Sequence, residues 1–552
     1  MKSIHFLFFI ALFFSSKVDA QFKINHNKFT LQDTLRGSNG LARQKWDVLK
    51  YDITVEPDIN KKTISGCNAI TFMDSGVHQI QIDLQEPMMI DSVLLLSASI
   101  PFIRDKNIYW LTINPSNEEL KNDLQKKTIK IYFHGKPKMA RNPPWDGGWI
   151  WEKDANKNPF ISVACQGLGA SVWYPCKDIQ SDEPNNGCSL NIILPDSLMG
   201  VSNGRLINTS KYDSSKTLYS WLVTAPINNY NIVPYIGKYT HLQDSFQGLK
   251  GTLDLDYWIL PDHAQLAKKQ FEDVKRMLSA FEYWFGPYPF YEDGYKLVEA
   301  PHLGMEHQSA IAYGNKFRNG YLGEDLSGSG WGLKWDFIIV HESGHEWFAN
   351  SLTTADIADM WVHEGFTCYS ETLFTEYYYG KEAANSYLQG LRKNIINDEP
   401  IIGPYGVNKE GSGDMYYKAA NMLHTMRQII NDDNKFRAML IGMNEKFYHS
   451  IVTTSEIESY INHFTQIDFS KVFDQYLRTT KIPTLEYYTN KRQLFYRWSN
   501  CVEGFNMKTK LQSSKIWLSP TTNWKHTKFK NSIPFKIDSN FYITTKMVEN
   551  PL

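Results

Sequence analysis

The chain has 552 residues, which is too long for one ordinary domain and predicts roughly two to four. Its 58 basic and 59 acidic residues leave a net charge of −1 with no long block of one sign, so the charge gives no indication of nucleic acid or an anionic membrane surface as a partner. The hydrophobic share of 42% is typical of a globular chain.

The first twenty residues have the layout of a cleaved secretory signal. Met1 and Lys2 form a short basic start, residues 4–14 are apolar apart from His5, and small residues precede Gln21. The apolar run is shorter than the ~20 residues that span a bilayer, so cleavage is favoured over the alternative of a retained membrane anchor. We therefore expect export to the periplasm or the exterior and no transmembrane segment in the mature chain.

Residues 21–245 are predicted to form an N-terminal β domain. Trp46–Val55 and Thr128–Phe133 read as strands, and turn signals such as Ser202-Asn203-Gly204 separate such runs. Helical patterns dominate residues 246–481, beginning with the apolar spacing of Ala264–Phe285.

A break at Ile482-Pro483 starts the last predicted domain, residues 482–552, in which Thr484–Trp498 and Phe541–Met547 read as strands again. The chain also has six cysteines, which are too few for a disulfide framework and show no CxxC spacing. Free or partly paired thiols are as plausible as bridges.

The strongest motif is the run from His341 to His345, with sequence HESGH, inside an apolar stretch that reads as a buried helix. Residues i and i+4 share one helical face, so His341 and His345 can present two imidazole nitrogens to one ion. Glu342 lies between them on the same helix, where it can take a proton from a metal-activated water. The alternative is a helix with two ordinary histidines.

Glu364 is the expected third ligand. It follows His345 by 19 residues, at the start of a second helical stretch, so its carboxylate can face the two imidazoles. This is the gluzincin arrangement, since no third histidine follows shortly after the motif. His363 points about 100° away from Glu364 on a helix and is expected to support a ligand or to pack rather than to bind the ion itself. Glu371 either orients a zinc-binding histidine or is a plain surface carboxylate.

With these residues the chain resembles the aminopeptidase N family of gluzincin zinc metallopeptidases over nearly its whole length. The resemblance implies an α+β multidomain fold with an N-terminal β-sheet domain, a thermolysin-like (zincin) catalytic domain and a small C-terminal β-sandwich. It also implies one Zn²⁺ per chain, held by His341, His345 and Glu364, with Glu342 as the proton acceptor.

Three further matches to that family imply how substrate is held. The family signature Gly-x-Met-Glu-Asn corresponds here to Leu303-Gly304-Met305-Glu306-His307, which departs from it at both ends. In the family this glutamate, Glu306 here, binds the free α-ammonium of the substrate, with Gly304 and Met305 beside it. A carboxylate at a set distance from the metal limits cutting to the first peptide bond.

Gln166 falls on the second of two family positions whose side chains help bind the amine. Ala164 occupies the first of these positions, so one of the two polar side chains is absent here. The alternative is that Gln166 is a loop amide without a role. Tyr416 matches the family's Tyr-x-Lys-Gly, whose hydroxyl stabilises the oxyanion; Tyr417 is the alternative in this run.

The resulting prediction is a zinc-dependent aminopeptidase, a hydrolase and metalloprotease, that acts as a monomer on peptides with a free N-terminus. Two other classes stay open. One is a different hydrolase using the same zinc, such as an epoxide hydrolase or an endopeptidase. The other is a binding protein that kept the fold, against which the intact Glu342 and Tyr416 argue.

Overall fold

The structure is a computed structural model that describes residues 29–96, 98–113, 126–512, 516–529 and 535–550. The predicted signal, residues 1–20, lies outside the described residues. Within the described ranges, none of the helices is both long and apolar enough to cross a membrane. All six cysteines are described and none is paired.

The N-terminal part is β-rich, as predicted. Its elements are α1 Leu31–Gly37, α2 Leu41–Gln44, β1 Trp46–Asp58, β2 Thr63–Asp74, β3 Gln79–Asp83, β4 Met89–Leu95, β5 Ala98–Ser99, β6 Phe102–Asp105, β7 Ile108–Thr112, β8 Lys126–Gly135, β9 Gly148–Lys153, β10 Pro159–Ala164, β11 Cys188–Pro195, β12 Met199–Val201, β13 Arg205–Lys211, β14 Lys216–Val223 and β15 Tyr235–Gly237.

These strands form three sheets. The largest has the order β13-β14-β11-β1-β2-β8-β4-β5, and smaller sheets have the orders β3-β7-β6 and β12-β15-β10-β9. Strand β1 pairs in parallel with β11 and antiparallel with β2. Its alternate residues Tyr51, Ile53 and Val55 are buried, which is the period-two pattern that predicted the strand.

The central part carries most of the helices. Its elements are β16 Thr240–Gly248, β17 Gly251–Ile259, α3 Ala264–Gln270, α4 Glu272–Phe285, β18 Tyr295–Glu299, β19 Gly304–Met305, β20 Ile311–Tyr313, α5 Phe337–Gly344, β21 Leu352–Thr354, α6 Trp361–Tyr379, α7 Lys381–Leu391, α8 Tyr417–Ile430, α9 Asp433–Lys446, β22 Ser450–Val452, α10 Thr454–Thr465 and α11 Ser470–Leu477.

The sheet of this part has the order β16-β17-β18-β20-β19, with the short strand β19 at one edge. Strand β16 pairs with β17 along its whole length, so the predicted domain boundary between residues 245 and 246 falls inside a strand of this sheet. The helical pattern of Ala264–Phe285 is two helices that meet at Phe271.

The last part is a small β region with strands β23 Thr484–Asn490, β24 Gln493–Ser499, β25 Thr509–Lys510, β26 Trp517–Leu518, β27 Lys525–Lys528 and β28 Thr544–Met547. A four-stranded sheet, β27-β24-β23-β28, accompanies the pair β25-β26. Buried Leu485, Leu494 and Trp498 belong to the same core as the central helices. The edge of the central sheet, including Met305, packs instead into the N-terminal core, so the region around β19 joins the two cores.

Candidate active site

Helix α5 carries the two histidines. Its N-cap, Asp336, accepts hydrogen bonds from the backbone N–H groups of Ile338 and Ile339 at 3.1 and 3.3 Å, which starts the helix one turn before His341. The rings of His341 and His345 lie 5.1 Å apart between centroids. A Cβ on Gly344 would lie 2.7 Å from the Ser370 hydroxyl, so glycine there allows α5 to pack closely on α6.

Helix α6 brings Glu364 to both histidines. Its Oε2 lies 3.7 Å from Nε2 of His341 and 3.4 Å from Nε2 of His345. The three residues are buried, and their ligand atoms all lie within 4.8 Å of one another. Within the described residues, the buried Oε2 of Glu364 accepts no hydrogen bond. Two imidazole nitrogens and one carboxylate oxygen that converge in this way fit the ligand set of a catalytic zinc.

Each histidine is oriented through its other ring nitrogen. Nδ1 of His341 lies 2.6 Å from Oε1 of Glu371, whose Oε2 accepts from the Tyr387 hydroxyl at 2.6 Å. Nδ1 of His345 lies 3.1 Å from the carbonyl oxygen of Phe348. When both Nδ1–H groups donate, both Nε2 lone pairs face the site. Glu371 is 1% exposed, so the alternative of a surface carboxylate is wrong.

His363 does not face this cluster. It is buried, and its Nε2 accepts a hydrogen bond from the backbone N–H of Thr354 at 2.9 Å. The packing role expected from its position next to Glu364 therefore agrees with the structure.

Glu342 lies next to the ligand cluster, on the side of Glu306. Ligand atoms of Glu306, Glu342 and His345 lie within 4.8 Å of one another. Burial raises the pKa of Glu342 to about 7, an effect that His341 and His345 oppose and that the Glu306 and Glu364 carboxylates reinforce. A carboxylate with a pKa near neutrality is suited to take up and release a proton.

Gly304 leaves the room that Glu342 occupies. A Cβ on Gly304 would lie 2.7 Å from Oε1 of Glu342 and 2.9 Å from Cδ1 of Ile338. Gly304 and Met305 form β19, and both line the cavity next to Glu306. The glycine of this signature therefore has a steric reason in the structure.

Glu306 is buried and held by two donors. Its Oε1 accepts from Nε2 of Gln166 at 2.6 Å and from the Tyr230 hydroxyl at 3.0 Å. Asn350 donates to its backbone carbonyl at 2.8 Å. Burial raises the pKa of Glu306, although the nearby His345 opposes the shift. Gln166 thus positions Glu306, whereas Tyr230 carries no sequence signal and was missed.

Tyr416 and Tyr417 both line the cavity. The ring of Tyr416 stacks on His341 with centroids 6.1 Å apart. Burial, followed by the Glu364, Glu410 and Glu306 carboxylates, raises the pKa of Tyr416 well above its usual value. For Tyr417 the strongest neighbours are instead Cys368 and Glu371. The charged neighbours of Tyr416 are therefore the Glu364, Glu410 and Glu306 carboxylates, which Tyr417 shares only in part.

These residues surround one cavity of about 350 Å³. It is lined by all nine residues that the sequence singled out for catalysis, metal binding and substrate binding, which are Gln166, Gly304, Met305, Glu306, His341, Glu342, His345, Glu364 and Tyr416. The lining also includes a further acidic residue, Glu410, which no sequence motif marks. The arrangement can activate a water, hold a cationic group beside it and stabilise a developing negative charge.

Comparisons with known proteins identify matching family models and relatives. The family model "Peptidase M1 N-terminal domain" matches residues 48–230, and "Peptidase family M1 domain" matches residues 269–476. The chain is 23% identical over 354 residues to "Aminopeptidase B" of Mus musculus, covering 59% of this chain and 50% of that protein. It is 21% identical to "Probable aminopeptidase 1" of Sulfurisphaera tokodaii, covering 80% of this chain and 54% of that protein.

A solved structure is similar over most of the chain. The mutant M1 zinc metallopeptidase of Deinococcus radiodurans, crystallised with a Tyr-Ser-Ala substrate, superposes with a TM-score of 0.65 at 17% identity. The alignment covers 80% of this chain and 96% of that one, which shows a shared fold. The chain spans about half the length of the aminopeptidase B relatives that it matches.

Proposed function

Because this chain belongs to the peptidase M1 family, we propose that it is a zinc-dependent aminopeptidase that hydrolyses the N-terminal peptide bond of peptides. One observation carries the proposal. The Glu306 carboxylate lies in the same buried cluster as Glu342 and His345, so a group that can bind an ammonium is beside the group that can move a proton.

His341, His345 and Glu364 are the residues that would hold the zinc. When bound, zinc lowers the pKa of water and polarises the substrate carbonyl. Glu342 takes the proton of the attacking water and passes it to the nitrogen of the leaving peptide.

Glu306 accepts hydrogen bonds from the substrate α-ammonium. Gln166 and Tyr230 both donate to Oε1, which leaves Oε2 for the ligand and prevents the side chain from turning away. Since Glu306 is a short, set distance from Glu342, an ammonium held there places the first peptide bond at the reacting centre. Tyr416 donates its hydroxyl to the oxygen on which negative charge develops.

The proposal is tested with purified protein, a metal assay and one pair of fluorogenic peptides. The peptides have the same sequence, one with a free N-terminus and one acetylated. Acetylation removes the positive charge, which leaves the buried Glu306 carboxylate without its partner, so the free peptide should be cleaved far faster. Equal cleavage of both peptides would contradict the exopeptidase assignment and favour another hydrolase.

Three finer statements belong to the same proposal. Each chain binds one zinc ion, because the described residues supply one two-histidine, one-glutamate set. The chain is exported by its first twenty residues, and it works as a monomer. Elemental analysis, N-terminal sequencing of exported protein and light scattering test these statements in turn. A ratio other than one zinc per chain, an intact leader or a larger mass would contradict them.

A further inference from the structure

Helix α1, Leu31–Gly37, lies before the residues that the two family models match, which begin at residue 48. A capping box closes its first turn, because the Thr30 hydroxyl accepts from the backbone N–H of Asp33 at 3.3 Å and the Asp33 carboxylate accepts from the backbone N–H of Thr30. The helix has seven residues and none of them is buried. Packing into a core therefore does not explain where α1 lies, and its polar contacts are the features to account for.

Arg36 makes the contacts that link α1 to the loop after β10. Its Nη2 donates to the carbonyl of Gly167 at 3.0 Å, and its Nε lies 3.5 Å from Oδ2 of Asp178. The guanidinium has its donors in a rigid fork, so one side chain can hold a carbonyl and a carboxylate together. Gly169, at φ +95°, leaves room for this side chain, since a Cβ there would lie 2.4 Å from Nη2 of Arg36.

The carbonyl that Arg36 holds belongs to the residue after Gln166. Gln166 donates through Nε2 to Oε1 of Glu306 at 2.6 Å. Gly167 is exposed and has no side chain to pack, so its backbone has more freedom than that of other residues. A hydrogen bond weakens steeply when its donor is displaced or tilted. The restraint that Arg36 applies at Gly167 is therefore transmitted to the contact between Gln166 and Glu306.

Helix α1 also contacts the segment between α7 and α8. The backbone N–H of Asn408 donates to the carbonyl of Asp33 at 3.0 Å, and the Asn408 side chain donates to the carbonyl of Gly167 at 3.4 Å. A Cβ on Gly37 would lie 2.2 Å from the carbonyl carbon of Val407, so the end of α1 and this segment meet backbone to backbone. Two donors from different parts of the chain thus meet on the Gly167 carbonyl. Helix α1 supplies one of them and anchors the other.

A staple that only joins the N-terminal and central parts is the alternative role for α1. The two parts are joined without it, however, because Val298, Met305 and Ala312 of the central sheet pack into the N-terminal core. The Arg36 contact instead ends beside the residue that restrains Glu306, and Arg36 does not line the cavity. These observations favour a role in placing the amine-binding side chains.

We propose that Arg36 is a positioning residue that keeps Gln166 against Glu306 and so sets the affinity of the site for the substrate α-ammonium. The inference rests on the proposed aminopeptidase function and deepens it by adding a helix that neither family model matches. Without Arg36, the Gly167 carbonyl loses its charged and closer donor, and Gln166 becomes free to move. Tyr230 still donates to Oε1 of Glu306, so amine binding is weakened and not abolished.

The first test is steady-state kinetics on a fluorogenic peptide with a free N-terminus. Arg36→Ala should raise KM about threefold to tenfold, the range for the loss of one hydrogen bond, with kcat and zinc content nearly unchanged. The effect falls on KM because the α-ammonium is bound equally in the ground state and the transition state. Arg36→Lys should recover part of the loss, because its ammonium can still donate to the Gly167 carbonyl. Gly37→Ala should raise KM in the same way, because the added Cβ displaces α1.

Arg104→Ala is the matched control. Arg104 also lies in the N-terminal part, donates through Nε to the carbonyl of Lys106 at 2.7 Å and does not line the cavity. The variant should keep the wild-type KM. Circular dichroism melts show that each variant is folded before the rates are compared. If Arg36→Ala lowers the melting temperature and leaves KM unchanged, α1 is only a staple and the inference is wrong.

Calorimetry with two hydroxamic acids separates this inference from the proposed function. Leucine hydroxamic acid and isocaprohydroxamic acid share the metal-binding group and the side chain, and only the first has an α-amine. Arg36→Ala should weaken binding of the first about threefold to tenfold and leave binding of the second unchanged. An equal loss for both compounds would overturn the inference, because Arg36 would then support the whole cavity.

The two proposals fail in different ways. If the wild type cleaves no peptide while Arg36→Ala still loses affinity for leucine hydroxamic acid alone, the aminopeptidase function fails and the positioning role stands. If the wild type cleaves peptides with a free N-terminus and Arg36→Ala matches it in KM and in both affinities, the function stands and the inference fails.

Discussion

Replacement of Glu371 by glutamine should weaken zinc binding without touching a zinc ligand. Oε1 of Glu371 lies 2.6 Å from Nδ1 of His341, and Oε2 accepts from the Tyr387 hydroxyl. The carboxylate sets the tautomer that turns the His341 Nε2 lone pair toward the site and makes the ring a stronger ligand. Glutamine has nearly the same shape but carries no charge, so the change acts mainly on that hydrogen bond.

The expected loss follows from the strength of this contact. A hydrogen bond to a charged group is worth about 1.5–3 kcal/mol, and every ~1.4 kcal/mol corresponds to a factor of ten in affinity. Zinc affinity of Glu371→Gln should therefore fall by roughly ten- to a hundredfold, in line with the usual effect of such indirect contacts. Tyr387→Phe removes the donor to the other oxygen and should have a smaller effect in the same direction.

The assay is competition for zinc against a chromophoric chelator of known affinity. Melting curves recorded by circular dichroism for wild type, Glu371→Gln and Tyr387→Phe show whether the fold is kept. If folded Glu371→Gln binds zinc as tightly as the wild type, Glu371 does not control the ligand histidine and the reasoning fails.

Three other substitutions test the groups around the metal. Glu342→Gln should keep its zinc but lose about 10²–10⁴-fold in turnover, because glutamine cannot accept the proton. Near-normal turnover of a zinc-loaded variant would show that Glu342 is not the proton acceptor. Tyr416→Phe should lower kcat more than it raises KM, since the Tyr416 hydroxyl acts in the transition state. If Tyr417→Phe shows this pattern instead, Tyr417 is the residue that stabilises the oxyanion. Gly304→Ala should lower activity with zinc retained, because its Cβ would lie 2.7 Å from Oε1 of Glu342; unchanged kinetics would show that the strand moves aside freely.

Much of the site was predictable because its signals are local. A helix repeats about every 3.6 residues, so the spacing of His341 and His345 alone placed two imidazoles on one face. The stretch that begins near Glu364 was also recognisably helical, and the structure has it as α6, Trp361–Tyr379. What the spacing of 19 residues could not specify was the angle at which α6 meets α5, which depends on the close approach at Gly344.

Other contributions depend on distant parts of the chain. Tyr230 reaches Glu306 across 76 residues, and Gln166 reaches it across 140. Neither pairing has a period or a neighbouring motif that a single sequence displays. The sequence also left open whether Glu371 orients a histidine or lies on the surface. A carboxylate two turns along a helix is buried only if another helix covers it, and the sequence does not show which helix does so. Here α7 does so through Tyr387.

The amino-acid sequence by itself identified the family and predicted the zinc ligands and the proton acceptor, because these predictions rest on residue types at recognisable spacings. Tertiary structure decided which carboxylates line the cavity and how the side chains of His341 and His345 are oriented. It also decided that β16 belongs to the central sheet and that α1 bridges the segments carrying Gln166 and Glu410. The physical reason is that hydrogen bonding, burial and charge between distant segments depend on the packing of whole elements, whereas periodicity is a property of one element alone.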